Sequence, residues 1–442
     1  MRAGVPAPPA APGTWERHAG AACAPLRGYR RREPEKTLLH QIVRERLETF
    51  LAAARERSAH GRGLPAFVER ELRAYIDCGS LARGFGRVRC PACGFERLVA
   101  FSCKASVCPS CATRRMEDRA DHLVRNVLPA VPVRQWVLSF PRRVRFLSAR
   151  HPALASRLLY LFTRAVFAWQ RRCARRLGAA DPRTGGLTVV QRFGSALNLN
   201  VHFHTLLPDG IFLLDGDSPA RFVPLPPPPD EDLAAILERV VRRTARALVG
   251  YEDLESEADA LATLQAAEVD RRQRFPDQFR HSRHGAFLDG FSLHAGVRIH
   301  ENDREGRERL CRYALRPPLA LRRLTQGDEG QLVYRMKRPR GGSLSLLLTP
   351  DELLARLATL VPPPRVHGLR YHGVFAPNSK ARQRVVPAAP EPVPSAPVTE
   401  ARARTTEKPR RVKSAEQPAR THRIPWADLL RKVYAIDVLA CP

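Results

Sequence analysis

Asn198-Leu-Asn-Val-His-Phe-His-Thr-Leu-Leu207 is the stretch on which the fold turns. Strand side chains alternate with a period of two, so His202 and His204 share one face and Phe203 points into the layer behind. Leu197, Leu199 and Val201 before the pair, and Leu206, Leu207, Ile211 and Phe212 after it, predict a buried strand over 198–214. Two imidazoles on one face can aim two nitrogen ligands at one divalent cation. The other reading is two solvent-facing histidines, and the rest of the chain has to decide between them.

Working outward, Gly186–Phe193 predicts a neighbouring strand, and Gln135–Pro141 an earlier buried one. Leu154, Leu158, Leu159, Phe162, Val166 and Trp169 give a long amphipathic helix over His151–Leu177. A helix is expected over Asp230–Val249, continuing with interruptions to about Arg274, then a strand at Phe291–Ile299 and a short helix at Arg304–Leu315 stopped by Pro317-Pro318. Leu319–Leu324 and Gln331–Lys337 read as a hairpin; strands at Ser343–Leu348 and Leu369–Phe375 flank a helix at Pro350–Leu360. Upstream, a helical pattern over Thr37–Tyr75 is broken at Gly61-Arg62-Gly63, and another helix is expected over Arg114–Asn126. The fold class this predicts is α+β: a central antiparallel sheet flanked by helices, preceded by a helical and cysteine-rich module. The expected segments are a disordered basic N-terminus over 1–37, a helical and cysteine-rich module over 38–126 and an α+β domain over 127–386. A disordered Pro/Ala/Arg-rich linker follows over 387–423, then a short terminal helix over 424–442.

Charge narrows the partners. Lys and Arg number 74 against 44 Asp and Glu, a net charge of +30. Such a surface draws polyanions through counterion release, and arginine suits bidentate phosphate contact. The other reading of part of the arginine excess is a GC-rich genome, since Ala and Pro are also abundant. No apolar run reads as a membrane span, and residues 1–37 lack the apolar core of a signal peptide. The expected location is cytoplasmic, and in that compartment the 10 cysteines read as metal ligands rather than disulfides. Cys90-Pro-Ala-Cys93 and Cys108-Pro-Ser-Cys111 are two C-x2-C knuckles, and Gly94 permits the tight turn of the first. Four thiolates of this kind suit a closed, structural Zn2+. Cys78 and Cys103 either substitute as ligands or pack as small apolar groups, and Cys23, Cys173 and Cys311 lack spacing partners.

In a basic protein, a cation on His202 and His204 would polarise a phosphodiester oxygen, and the reaction then needs a nucleophile. Of the 8 tyrosines, Tyr334 alternates with Leu332 and Met336 and reads as sheet packing, and Tyr371 is ambiguous. Tyr313 differs: it sits on a short helix among Arg309, Arg312 and Arg316, cations suited to DNA binding or to stabilising a phenolate.

Four segments carry a resemblance: Gly194–Thr205, Gly290–Val297 (Gly-Phe-Ser-Leu-His-Ala-Gly-Val), Arg309–Pro318 (Arg-Leu-Cys-Arg-Tyr-Ala-Leu-Arg-Pro-Pro) and Arg370–Lys380. Together with Cys78-Gly, Phe101-Ser-Cys-Lys104 and Cys108-Pro-Ser-Cys111, and in this order, they resemble the insertion-sequence 91 family of rolling-circle transposases, within the HUH endonucleases. The likeness covers about 38–386 and 424–442. It implies an HUH palm in which His202 and His204 hold Mg2+ or Mn2+ and Tyr313 attacks single-stranded DNA at transposon ends and target, leaving a 5′-phosphotyrosine and a 3′-OH. It also implies a third metal ligand, for which His294 is the first candidate and Gln191 the second. Many relatives carry a second tyrosine four residues before the first, where this chain has Arg309, so it resembles a single-tyrosine variant. The chain ends at Cys441-Pro442, where relatives continue into Cys-Pro-x-Cys-Gly, and the expectation is a shortened copy. A replication initiator or relaxase with the same chemistry, and a zinc-ribbon DNA-binding protein without catalysis, remain as alternatives. Oligomeric state is not legible.

Overall fold

The computed structural model describes residues 33–58, 61–90, 93–216, 218–251, 259–270, 284–340, 343–387, 424–434 and 438. The expectations for 1–32 and 388–423, together with Cys23 and Cys441, lie outside the described residues. The chain opens with α1 (Leu38–Glu56) and α2 (Ala66–Ile76), a hairpin of β1 (Phe85–Arg89) and β2 (Glu96–Ala100), and α3 (Pro109–Asn126). Then come β3 (Val133–Ser139), α4 (Arg142–Arg150), α5 (Pro152–Arg176), β4 (Gly185–Phe193), β5 (Leu199–Pro208), β6 (Gly210–Leu213) and β7 (Arg221–Pro224). After α6 (Asp230–Leu248) and α7 (Ala260–Asp270) follow β8 (Gly285–Leu288), β9 (Phe291–Ile299) and α8 (Arg304–Leu315). The last elements are β10 (Leu324–Gln326), β11 (Leu332–Arg340), β12 (Ser343–Leu348), α9 (Pro350–Leu360), β13 (Leu369–Gly373), α10 (Arg382–Val385) and α11 (Trp426–Tyr434). Helix starts carry the side chains that satisfy orphan N–H groups: Thr37 opens α1, Asp303 opens α8, and Thr349 with Glu352 forms a capping box on α9.

A 6-stranded sheet in the order β13-β4-β5-β3-β9-β8 forms the centre, and every pairing in it is antiparallel. The α+β class expected from the sequence is therefore the observed one. Both faces of the sheet are covered, which explains why β5 is buried at every position. On one face Trp136, Leu138, Phe203 and Leu293 pack with α4, α5 and α6 through Leu147, Leu158, Phe162, Val166 and Leu237. On the other, Val133, Leu187 and Leu206 meet Leu123 and Val124 of α3 and Leu310 and Cys311 of α8. The N-terminal helices share a third core with α9 and the β10-β11-β12 sheet, through Leu39, Leu47, Leu72, Leu353 and Leu357.

The single strand expected over 198–214 is two, β5 and β6, interrupted at Asp209. The buried Asp209 carboxylate accepts from Arg134 Nε (2.7 Å) and Nη2 (2.8 Å) and from Arg298 Nε (2.9 Å). A buried carboxylate needs such partners, and turning the chain there ties β3 and β9 to the end of β5.

Behind the sheet, His372 Nε2 and Thr188 Oγ1 hydrogen-bond at 3.0 Å, and Thr188 Oγ1 and Thr205 Oγ1 at 2.8 Å. Burial, and then the Arg370 charge, push His372 down to about 4 from 6.5. Between those values the unfolded chain binds a proton that the folded one refuses, so stability falls as pH drops through that window. At about 1.36 kcal/mol per pKa unit, the loss by pH 4 is about 3 kcal/mol. Urea unfolding of His372→Gln at pH 7 and pH 4.5 should show an acid loss smaller than wild type by about 2 kcal/mol; equal losses would mean that His372 titrates normally.

Candidate active site

The alternation of β5 places His202 and His204 on the face covered by α3 and α8, both buried, while Phe203 meets Phe140 edge-on at 5.0 Å on the far side. Each ring is fixed at Nδ1. His202 Nδ1 lies 2.8 Å from Asn200 O, a carbonyl, so His202 is the donor. His204 Nδ1 accepts from Gln135 Nε2 at 2.9 Å. In the tautomers these contacts require, His204 Nε2–H donates to His202 Nε2, 3.0 Å away. Burial first, then His202 and Arg316, hold His204 well below the ordinary histidine range, so it is a neutral, ligand-competent imidazole near neutral pH. Two nitrogens at about 2.1 Å from one ion stand about 3.0 Å apart at right angles and about 3.4 Å apart in a tetrahedron. The observed spacing is short enough for both nitrogens to reach one ion.

Helix α8 docks Leu310, Cys311 and Ala314 against the histidine face, and this carries Tyr313 to the pair. The Tyr313 ring stands edge-on to His204, with centroids 5.5 Å apart and an interplanar angle of 89°, and the residue is 45 % exposed. The last carbonyls of α8 lack intrahelical donors. Gln191 Nε2 donates to the carbonyls of Tyr313 (3.2 Å) and Ala314, and Arg316 Nη1 donates to that of Tyr313 (2.8 Å). The Arg316 guanidinium lies over the Tyr313 ring at 4.2 Å and over Phe193 at 5.3 Å. Of the other two arginines that the sequence marks out for DNA binding, Arg309 pairs with Glu305 and Asp303, and Arg312 with Glu117 and Glu308.

The two candidates for a third ligand part company. Gln191 lies directly opposite His202 on the adjacent strand, and its Oε1 is buried without a hydrogen-bond partner. His294 shares the histidine face but pairs with Val137, and β3 stands between β9 and β5. Two strand spacings amount to roughly 10 Å. The His294 ring rests beside Gly296 and His284 instead, so the structure does not bring His294 to the pair. Gln135, which orients His204, and Asp209, which anchors β3 beside it, were missed in the sequence. The available signal was a polar residue inside or next to a strand otherwise read as buried.

The cysteines that converge also differ from the expected set. Among the described residues, one group of three or more metal-capable side chains stands close together: Cys78, Cys103, Cys108 and Cys111, with every Sγ within 4.8 Å of the others. The Sγ separations are 3.6 Å for Cys78–Cys111, 3.6 Å for Cys78–Cys108 and 3.7 Å for Cys103–Cys111. Zn–S bonds of about 2.3 Å give a tetrahedron with edges of about 3.8 Å, so the four thiolates fit a structural Zn2+. Cys108 and Cys111 hold their expected places, whereas Cys90 and Cys93 fall outside the group. The hairpin register explains why. Phe85 pairs with Ala100 at the end near Cys78 and Cys103, and Arg89 pairs with Glu96 at the far end, where the chain turns through Gly94 at φ +72°. A strand of this length separates the two ends by roughly 15 Å.

Two family models match the chain. One, described as "Putative transposase", covers residues 185–383, which include the histidine pair, Gln191 and Tyr313. The other, described as a transposase zinc-binding domain of insertion sequence 91, covers residues 43–140, which include the four clustered cysteines. No curated protein and no solved structure matches the sequence.

Proposed function

Because the chain belongs to the insertion-sequence 91 transposases, DNA is its substrate, and we propose that it cuts and rejoins single-stranded DNA by attack of Tyr313 on a phosphodiester, as an HUH endonuclease of the single-tyrosine type. The observation that carries this reading is the convergence of two oriented, buried imidazoles and a half-exposed phenol on one face of one sheet. His202 Nε2, His204 Nε2 and Gln191 Oε1 are the residues that would hold Mg2+ or Mn2+. When bound, the ion polarises a non-bridging phosphate oxygen and offsets its charge.

For both Nε2 lone pairs to face one ion, the His204 proton must sit on Nδ1. Rotation of the Gln135 amide then supplies Oε1 as the acceptor that keeps it there. Tyr313 Oη attacks phosphorus, the P–O3′ bond breaks, and the phenolic proton ends on the departing 3′ oxygen. The product is a 5′-phosphotyrosine and a free 3′-OH, and reversal with another 3′-OH joins strands without ATP. Arg316, stacked on the attacking ring, is placed to stabilise negative charge there.

The test is His202→Ala with labelled single-stranded transposon-end DNA and Mn2+. Nicking should disappear while DNA affinity stays within about twofold, since a ligand and not a phosphate contact is removed. Loss of binding in a folded variant would make the histidines structural. Gln191→Ala should raise the Mn2+ concentration required for nicking on the order of 10-fold. If His294→Ala does so and Gln191→Ala does not, the third donor is misassigned.

A further inference from the structure

On the face of the sheet away from the histidines, α5 carries Arg157, Arg164 and Arg171 at seven-residue spacing, with Tyr160 between the first two. Seven residues are close to two helical turns, so the three guanidinium stems follow one line at intervals of roughly 10.5 Å. Arg243 and Arg246 of α6 close a cavity of about 420 Å³ against Arg157, Tyr160 and Arg164. The line continues into a cleft of about 840 Å³ beside edge strand β13, where Arg164 and Arg171 share the lining with Arg183, Lys380 and Arg384. Among the described residues, Asp181 is the one carboxylate lining either cavity, and Arg183 engages it. Among the described residues, Arg157, Arg164, Arg171, Arg243 and Arg246 have no carboxylate partner.

Holding like charges together is unfavourable, and the groups register it. Arg171 is pushed below its ordinary range, first by burial and then by Arg175 and Arg164. Arg164 Nη1 donates to Tyr160 Oη at 2.7 Å, and Arg157 and Arg164 flank that ring at 5.6 and 5.5 Å from its centroid. That hydrogen bond, ahead of the charges of Arg164, Arg157 and Arg243, draws the Tyr160 phenol below its usual value. None of this repulsion is answered within the described protein, while a polyanion lying along the line would relieve it.

We propose that the arginine line on α5 and α6, with the cleft at its β13 end, is a second DNA site that grips phosphates remote from the scissile one. The assignment rests on DNA being the substrate. Arginine forks match phosphate oxygens, and partners spaced along a helix suit a repeating polyanion better than a single small anion. The site packs on the Phe203 side of the sheet and Tyr313 on the other, so its occupant is a distal stretch of DNA and not the nucleotide being cut.

The experiment is a salt titration of the Arg157→Ala/Arg164→Ala/Arg243→Ala variant, with long single-stranded and long duplex oligonucleotides, both proteins carrying Tyr313→Phe to prevent cutting. The slope of log K against log salt should shrink for one of the two DNAs, by roughly 2 if that is the single strand and roughly 3 if it is the duplex, at about 0.7 and 0.9 per phosphate. The DNA that responds identifies the strandedness of the distal segment. Unchanged slopes for both, in a variant with wild-type circular dichroism, overturn the site. With Tyr313 intact, the triple variant should still form wild-type amounts of adduct on a short oligonucleotide covering only the cleavage point. Absence of adduct in both proteins counts against the proposed chemistry alone, since the slopes still decide the second site. As a check that needs no variant, phenylglyoxal modification of Arg157 and Arg164 in the wild-type protein should slow several-fold with DNA bound; equal rates also overturn the proposal.

Discussion

Tyr313→Phe is expected to abolish the covalent protein–DNA adduct while leaving fold and DNA affinity intact. The substitution removes one hydroxyl from a ring that is 45 % exposed and stacked on Arg316. Stability should move by no more than about 0.5 kcal/mol, and the face presented to His204 stays the same. What disappears is the attacking oxygen. Loss of a covalent nucleophile typically lowers turnover by about 10⁴-fold or more, so denaturing gels with labelled single-stranded end DNA and Mn2+ should show no shifted band. A band of wild-type intensity would assign the nucleophile elsewhere. Tyr371, which packs with the α3 and α8 side of the sheet, and Tyr334, which is buried in the core beneath α9, would then be the next to test.

The second large effect concerns the cysteines. Cys108→Ser or Cys103→Ser should lower zinc content and unfold the N-terminal module, whereas Cys90→Ser and Cys93→Ser should leave zinc content unchanged. Cys78, Cys108 and Cys111 are part of the same core as Leu47, Leu51 and Leu72, so metal binding and packing of α1 and α2 form one cooperative unit. Structural zinc contributes on the order of 10 kcal/mol in small zinc modules, well above what a core of this size retains without it. Zinc release measured with a chromogenic chelator, alongside helicity by circular dichroism, separates the two sets. Loss of zinc in Cys90→Ser with retention in Cys103→Ser would restore the two-knuckle pairing.

That contrast marks where local spacing stops being informative. A C-x2-C pair places two sulfurs on one turn, but nothing in the spacing says which other sulfurs meet them. The pairing of β1 with β2 sends Cys90 and Cys93 to the far end of the hairpin and returns the chain to Cys103 beside Cys78. Strand alternation is a more local rule, and it served well for His202, Phe203 and His204. Helix α8 was legible for the same kind of reason, since Pro317-Pro318 closes it and its apolar residues choose the docking face.

His294 and Gln191 illustrate the other limit. Both lie on the histidine face, and imidazole is the more usual metal ligand. The decision depends on strand order, which brings β4 beside β5 and inserts β3 between β5 and β9. Arg309 and Arg312 stand in the same position. Their sequence context suggests phosphate contact, yet α3 brings Glu117 to Arg312, and the turn before α8 brings Asp303 to Arg309.

The sequence by itself determined the α+β class, the face shared by the two histidines, the tyrosine helix and the presence of a zinc module, because these follow from periodicity, proline stops and residue chemistry within a few positions. Tertiary structure alone decided which four sulfurs converge, that Gln191 rather than His294 stands beside the pair, how Gln135 and Asp209 anchor it, and that the arginines of α5 and α6 face one another. Those depend on strand order, hairpin register and helix packing, which join residues far apart in the chain through contacts that no local pattern encodes.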